Sequence, residues 1–332
     1  MRRLLSTFAA MAAAGIILPA AVGGSVANAV VVPPSFGTRL VTVPVSGAHN
    51  PRALQYIIGD LTPGTLIRRR ILIANNEPQT SHFTVYPDAA HIRNGQFIGD
   101  AGQTASELTT WTSIQHGRVT LRRDTSVQDL VTIRVPRVAT RGEHYGVIWV
   151  QQVAHARTAR GVAVTEVNRV GIRIYLDIGK GGAPPTKFAI TRMTGYRSPQ
   201  GQPVLAARIS DTGGLAVDLA ATVRLTAGPG GTSAGPFSSQ KVVTLAPGQS
   251  GTLTFLPGRR LPSGPWRATV TAVSGLNKVS ASATIDISGH AAGRTWIRTA
   301  ALIGGGGLGI AVLMMFAVWA RRRGLVARRE LV

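Results

Sequence analysis

The sequence predicts an all-β chain, with two immunoglobulin-like β-sandwich domains in tandem between an N-terminal signal peptide and one C-terminal transmembrane helix. Three observations support this fold class. Alternating apolar and polar runs, typical of half-buried strands, recur along the chain. Turn signals rich in glycine, proline and asparagine separate these runs at intervals of about 8 to 15 residues. No long helical pattern occurs between the two ends.

The chain begins with a pattern typical of a secretory signal, residues 1–29. Arg2 and Arg3 precede an apolar stretch, and Ala27-Asn28-Ala29 fits the small-x-small rule for cleavage. The twin-arginine export motif is incomplete, so the sequence favours the general export route.

A second apolar run, residues 299–320, contains no charged residue, and a helix needs about 20 apolar residues to cross a bilayer. The basic residues that follow predict that the tail, 321–332, stays in the cytoplasm. Gly305 and Gly309 have a spacing that lets two membrane helices approach, although a single glycine-rich anchor without a partner explains them better. The prediction is a single-pass cell-membrane protein that contacts the lipid bilayer through 299–320, with its N-terminal domains outside the cytoplasm.

The predicted exported part, residues 30–298, carries 29 of the 36 Lys+Arg and 13 of the 14 Asp+Glu, a net charge of +16. Such a charge attracts polyanions. Outside a cell these would be wall polymers or anionic lipids rather than nucleic acid. The alternative is a well-solvated surface that reflects coding bias towards arginine. The chain has no cysteine, so apolar burial alone must hold each core, and thiolate nucleophiles and cysteine-ligated metals are excluded.

In the first predicted domain, a short polar turn separates two alternating runs between Leu61 and Tyr86. Ile71 and Ile73 share one face of the first run, and Phe83 and Val85 share one face of the second. This pattern predicts a β-hairpin. The first run also contains three consecutive arginines, 68 to 70. Arg69, the middle one, shares a face with Ile71 and Ile73, which is the face predicted to point to the core.

Other local patterns predict the remaining elements of this domain. Asn94-Gly95 predicts a second hairpin. Thr104 and Glu107 have the spacing of a capping box, and the short helix that follows would bury Trp111, which could instead form a ligand platform. Residues 144–152 are apolar on both faces and predict a central strand. The last strand, 170–178, has one apolar face, and its opposite face carries Arg173, Tyr175 and Asp177.

Several spaced motifs of this region resemble a known family. In order, they are Asn50-Pro51-Arg52, Thr62-Pro63-Gly64, Arg68 to Ile73, Asn75-Asn76, Val85-Tyr86-Pro87, Ala105 to Trp111, Val135-Pro136 and Gly142 to Trp149. Together they resemble the peptidoglycan-binding domain of WxL-interacting proteins, over about residues 40–177. The resemblance implies an immunoglobulin-like fold, a single membrane anchor and a wall-binding role.

A glycine- and proline-rich stretch, residues 179–186, marks a domain boundary. Beyond it, seven short alternating runs predict a second sandwich that acts as a spacer. The predicted segments are the signal peptide 1–29, the first immunoglobulin-like domain 37–178, the linker 179–186, the second immunoglobulin-like domain 187–288, the transmembrane helix 299–320 and the cytoplasmic tail 321–332.

The sequence contains no pattern typical of an enzyme, and it predicts no catalytic residue, metal or cofactor. Zinc-hydrolase and serine-hydrolase motifs are missing. Glu107 and Asp129 could be the two carboxylates of a glycosidase, but ordinary surface acids explain them better.

Two functions remain. In the first, a basic and aromatic surface of the first domain binds peptidoglycan or an anionic wall polymer. Its candidate residues are Arg68, Arg70, Arg118, Arg122, Arg123, Trp149 and Tyr175. A solvated basic face with Trp149 buried would explain the same residues. In the second, the protein is a scaffold whose exposed sheet edge pairs with another cell-surface protein.

Overall fold

The computed structural model describes residues 36–157 and 163–288, which lie within one compact unit. The strands of its first half are β1 Phe36–Leu40, β2 Ile57–Leu61, β3 Leu66–Asn75, β4 Ser81–Arg93, β5 Gln96–Gly99, β6 Thr112–Ile114, β7 Arg118–Leu121, β8 Thr125–Arg134, β9 Gly142–Arg157 and β10 Ala163–Ile178. Those of its second half are β11 Phe188–Arg197, β12 Pro203–Asp211, β13 Val217–Thr226, β14 Ala234–Ser238, β15 Val243–Leu245, β16 Ser250–Phe255, β17 Pro265–Ser274 and β18 Asn277–Asp286. Two short helices, α1 Pro51–Gln55 and α2 Glu107–Trp111, accompany the first half.

The mostly β, two-sandwich architecture predicted from the sequence is confirmed. The predicted signal peptide, transmembrane helix and cytoplasmic tail lie outside the described residues. Within the described ranges, no helix combines the length and the apolar character that a bilayer crossing requires.

Two sheets form the first sandwich. One has the strand order β1-β3-β8-β6, and the other has the order β2-β10-β9-β4-β5, with β7 beside β4. The pairing is antiparallel except between β2 and β10, which run parallel. Apolar residues of both sheets, such as Ile71, Ile133, Phe83 and Ile148, meet in a core from which water is excluded.

The second sandwich packs the sheet β11-β12-β16 against the sheet β14-β13-β17-β18, with β15 beside β13. Its core includes Trp266, which is 1% exposed. The indole Nε1 donates to the carbonyl oxygen of Pro262 at 3.0 Å, so the one polar atom of this large buried ring is satisfied.

The hairpin predicted between Leu61 and Tyr86 is wrong. β3 pairs with β1 and β8, whereas β4 pairs with β9, β5 and β7 in the other sheet. The chain therefore crosses between the two sheets, and the apolar faces of β3 and β4 meet across the same core. Asn75, which is fully buried, holds the crossing: its Nδ2 donates to the carbonyl oxygens of Gln79 and Leu121 at 2.9 and 3.0 Å.

The hairpin predicted at Asn94-Gly95 is confirmed. It joins β4 to β5, and both turn residues have positive φ, 52° and 74°, as the favoured two-residue hairpin turn requires. The central position predicted for residues 144–152 is also confirmed, since β9 lies between β10 and β4.

The short helix forms, but its predicted N-cap, Thr104, is wrong. Ser106 caps α2 instead and exchanges hydrogen bonds with Thr109. Thr104 is held elsewhere, because its backbone N–H donates to the buried carboxylate of Asp88. Trp111 is 8% exposed and belongs to the core, as predicted for a residue that closes the sandwich.

Candidate functional site

The longest hairpin of the described chain, β9 with β10, leaves part of its backbone without a strand beside it. The two strands pair from Gly142 with Ile178 to Arg157 with Ala163. β2 covers the outer edge of β10 only from Ile174 to Ile178. Among the described residues, the edge of β10 from 163 to 173 therefore has no neighbouring strand, and its backbone donors and acceptors are a template for another chain.

The distal part of this hairpin also exposes apolar side chains. Val153, Val164 and Val167 are 43%, 42% and 44% exposed. Val153 and Val167 are cross-strand partners, so their side chains share one face of the hairpin. Most apolar side chains of this sandwich are buried in its core. Val153 and Val167 thus form a small exposed apolar patch beside the open edge, and an exposed apolar patch can mark a surface that receives a partner.

Hydrogen bonds anchor the hairpin at the point where β4 stops pairing with it. Gln151 Oε1 accepts from the hydroxyl of Tyr86 on β4 and from Nε of Arg169 on β10, both at 2.7 Å. On the opposite face, Gln152 Nε2 donates to Glu77 at 2.7 Å. These contacts tie the base of the open edge to the rest of the sheet, and an edge that is ordered before binding lowers the entropic cost of receiving an extended segment.

A second polar cluster joins the two sandwiches around the buried carboxylate of Asp218, which is 8% exposed. Its Oδ2 accepts from Arg52 Nε at 2.9 Å. Its Oδ1 accepts from Arg173 Nη1 at 3.1 Å, from the hydroxyl of Tyr175 at 3.1 Å and from Thr244 Oγ1 at 2.7 Å. The residues come from four separate parts of the chain, so the cluster fixes one sandwich to the other.

Aromatic rings surround this carboxylate. Tyr175 lies 5.2 to 5.9 Å from the ring centroids of Tyr56, Phe97 and Tyr145. The guanidinium of Arg52 lies 4.9 Å from the Tyr175 ring. Burial, followed by the charge of Asp218, raises the pKa of the Tyr175 hydroxyl, so the tyrosine stays protonated and remains a hydrogen-bond donor to Asp218.

Carboxyl groups next to this cluster hold protons more tightly than usual. Burial raises the pKa of Glu143, although its carboxylate accepts from the hydroxyl of Tyr145 and the backbone N–H of Ala216. Burial and the neighbouring carboxyl of Asp60 raise the pKa of Asp177. Asp60 and Asp177 are cross-strand partners on β2 and β10.

We expect Asp177→Asn to stabilise the protein at neutral pH. A raised pKa means that Asp177 takes up a proton on folding, so its stabilising contribution is present below the ordinary carboxyl range and is lost as the pH rises through the raised value. Asparagine does not titrate and can donate to Asp60. Urea unfolding at pH 7 should show a gain in unfolding free energy that shrinks near pH 4. Asp124→Asn, at an exposed position, is the control, and an equal gain in both variants would contradict this interpretation.

The structure does not bring the seven predicted site residues together. Arg68 and Arg70 are exposed on β3 of the four-stranded sheet. Arg118, Arg122 and Arg123 are exposed on or after β7, and Trp149 is half-buried on β9 of the other sheet. Tyr175 is 1% exposed, because the second sandwich covers the face of β10 that the sequence pattern left outside the core. Arg69, which has the parity of the core, is half-buried, and burial lowers the pKa of its guanidinium.

Of the two candidate carboxylates interpreted as surface acids, Glu107 is exposed, but the interpretation is wrong for Asp129. Asp129 is 2% exposed, and its Oδ1 accepts from His116 and from the backbone N–H of Leu130. Asp88, Asp177, Asp211 and Asp218 are also buried. In the ranges the structure describes, no three His, Asp or Glu side chains lie close enough to hold a metal ion.

Sequence reasoning missed the role of Arg52 and Asp218. The available signal was the acidic Asp218 between the apolar residues Val217 and Leu219. A charge inside an apolar strand needs a buried partner.

Comparisons with known proteins do not show a family. No family model and no curated protein matches the chain. Among similar solved structures, the Salmonella enterica SafA pilin in complex with the SafB chaperone has a TM-score of 0.39 and 11% identity, covering 75% of this chain and 96% of that one. The YadV chaperone has a TM-score of 0.38 and 9% identity, covering 75% and 99%. The E. coli chaperone DraB has a TM-score of 0.35 and 11% identity, covering 70% and 95%.

These findings correct the resemblance to the peptidoglycan-binding domain of WxL-interacting proteins, which is wrong. The three similar structures named above are each described as or with a chaperone, and none of the three is named as a WxL-interacting protein. The peptidoglycan-binding role inferred from that resemblance is therefore also wrong, and the comparisons support neither a wall-polymer nor a lipid partner.

Proposed function

We propose that the protein binds an extended segment of another protein, which adds as a further strand along the edge of β10 between residues 163 and 173. The observation that carries this proposal is that edge, which has no strand beside it among the described residues. Main-chain hydrogen bonds would supply affinity, and the face that carries Val153 and Val167 would select apolar side chains at alternate positions of the segment.

A protein partner agrees with the titles of two similar solved structures, which name a chaperone with a pilin and a chaperone with a tip adhesin. At TM-scores of 0.39 and 0.34, the structural similarity is too low to assign the partners in those titles to this chain. The proposal depends on the hairpin itself. The export signal, the membrane helix and the absence of catalysis remain predictions, and the first two would present the hairpin outside the cytoplasm.

The test begins with peptides selected on the full-length protein from a random twelve-residue library. Selected peptides should carry apolar residues at alternate positions, because an added strand presents every second side chain to the same face. Val164→Lys with Val167→Lys should weaken their binding about tenfold or more. Val138→Lys, at a position that is 93% exposed and away from the hairpin, should leave affinity unchanged.

Alternate N-methylation of a selected peptide gives a sharper comparison. Methyl groups on the amides that face β10 remove the hydrogen bonds, whereas methyl groups on the amides of the other parity leave them intact. Loss of binding with one parity only is expected. Equal loss with both parities, or binding that survives the two lysine substitutions, would contradict strand addition.

A further inference from the structure

An uncompensated stripe of arginines crosses the outer face of the four-stranded sheet. Arg68 and Arg70 follow each other on this face of β3. Arg134 on β8 is the cross-strand partner of Leu66, and Arg39 on β1 is the partner of Leu72. The four arginines thus lie on a diagonal in the order 134, 68, 70, 39, with neighbouring Cα atoms about 6 to 8 Å apart.

All four side chains are exposed. None of them makes an ion pair with a carboxylate of the described residues. The acid of β8 that is nearest in sequence, Asp129, points to the core and is buried. Like charges at neighbouring positions of a sheet destabilise it. The four arginines therefore repel one another, and no ion pair of the described residues neutralises any of them.

The surroundings of the stripe favour a polypeptide over a polyphosphate or a lipid headgroup. Leu72 and Leu130 are partly buried on the same face, and the part that remains exposed offers apolar contact beside the guanidiniums. Carboxylates at every second position of an extended chain repeat at about 6.6 Å, which matches the step from Arg68 to Arg70. Arginine binds a carboxylate through two parallel hydrogen bonds.

We propose that this face, defined by Arg39, Arg68, Arg70 and Arg134 and named here the arginine stripe, is a docking surface for an acidic, extended segment of a protein. The segment carries glutamate or aspartate at alternate positions. This inference goes beyond the proposed function, since the stripe lies on a different sheet from β10 and its test does not depend on strand addition.

The test uses a fluorescent peptide with four glutamates at alternate positions, and a second peptide of the same composition with the glutamates consecutive. We expect the first to bind the full-length protein more tightly at low salt. Arg68→Gln with Arg70→Gln should weaken its binding about tenfold. The matched control is Arg192→Gln with Arg208→Gln, which removes the same charge from an exposed cross-strand pair of the second sandwich and should change affinity less than about twofold.

Thermal unfolding shows whether a variant that binds less tightly is also less stable. Because removal of like charges relieves repulsion, the double variant at 68 and 70 should unfold at the same temperature as the wild type or a higher one. Equal losses in the two double variants would show non-specific charge attraction and overturn the proposal. Inorganic polyphosphate or anionic vesicles that bind more tightly than the alternating peptide, with the same dependence on Arg68 and Arg70, would also overturn it.

Discussion

Asp218→Asn is expected to lower the free energy of unfolding by about 3 kcal/mol. The asparagine keeps the shape of the side chain but removes the charge that compensates Arg52 and Arg173. The side chain of Arg52 is 12% exposed, so water cannot replace the lost partner, and breaking such a buried pair is strongly destabilising. Arg173 is 32% exposed, so solvent recovers part of its loss.

Urea unfolding of the variant measures this effect. Asp286→Asn is the matched control, because Asp286 is exposed and its described side-chain partner is Ser288 alone. The control should change the unfolding free energy by less than about 0.5 kcal/mol. An Asp218→Asn protein as stable as the wild type would show that the Asp218 cluster does not hold the two sandwiches together.

Trp266→Ala is expected to cost about 4 kcal/mol. The ring is almost wholly buried in the core of the second sandwich, and the backbone of Gly228 packs so closely against it that a β-carbon there would overlap the ring. Alanine would leave a cavity that rigid sheets on both sides cannot fill. Urea or thermal unfolding detects the loss.

Leu276→Ala provides the comparison for this variant, since Leu276 is 67% exposed and its truncation leaves no cavity. We expect its unfolding free energy to stay within about 0.5 kcal/mol of the wild type. A Trp266→Ala protein that lost no more than this control would mean that the second core is not organised around the indole.

Local signals predicted the parts of the fold that depend on neighbouring residues. Asn94-Gly95 specified its hairpin because two adjacent residues with positive φ are sufficient for the turn. The alternating pattern of 170–178 likewise identified the buried face of β10. Both predictions needed no information from distant parts of the chain.

Non-local features explain what the sequence could not predict. Phe83 and Val85 fit a hairpin with Ile71 and Ile73 as well as they fit the opposite sheet, because only the closed core decides between these arrangements. Tyr175 looked exposed since the residues that cover it, such as Asp218, lie in the second sandwich. The edge of β10 became visible only when the extent of β2 was known.

Disulfide trapping at the β10 edge tests the central claim most directly. The chain has no cysteine, so a Thr165→Cys variant has a single thiol, at an exposed position of that edge. A selected peptide would be made as a series, and each member would carry one cysteine at a different position. Thr222→Cys is the control, because β13 has a strand on each side there. Strand addition predicts that crosslinking at Thr165→Cys rises and falls with a period of two residues and is weak at Thr222→Cys. Yields that do not depend on the position of the peptide cysteine, or that are equal at both sites, would contradict it.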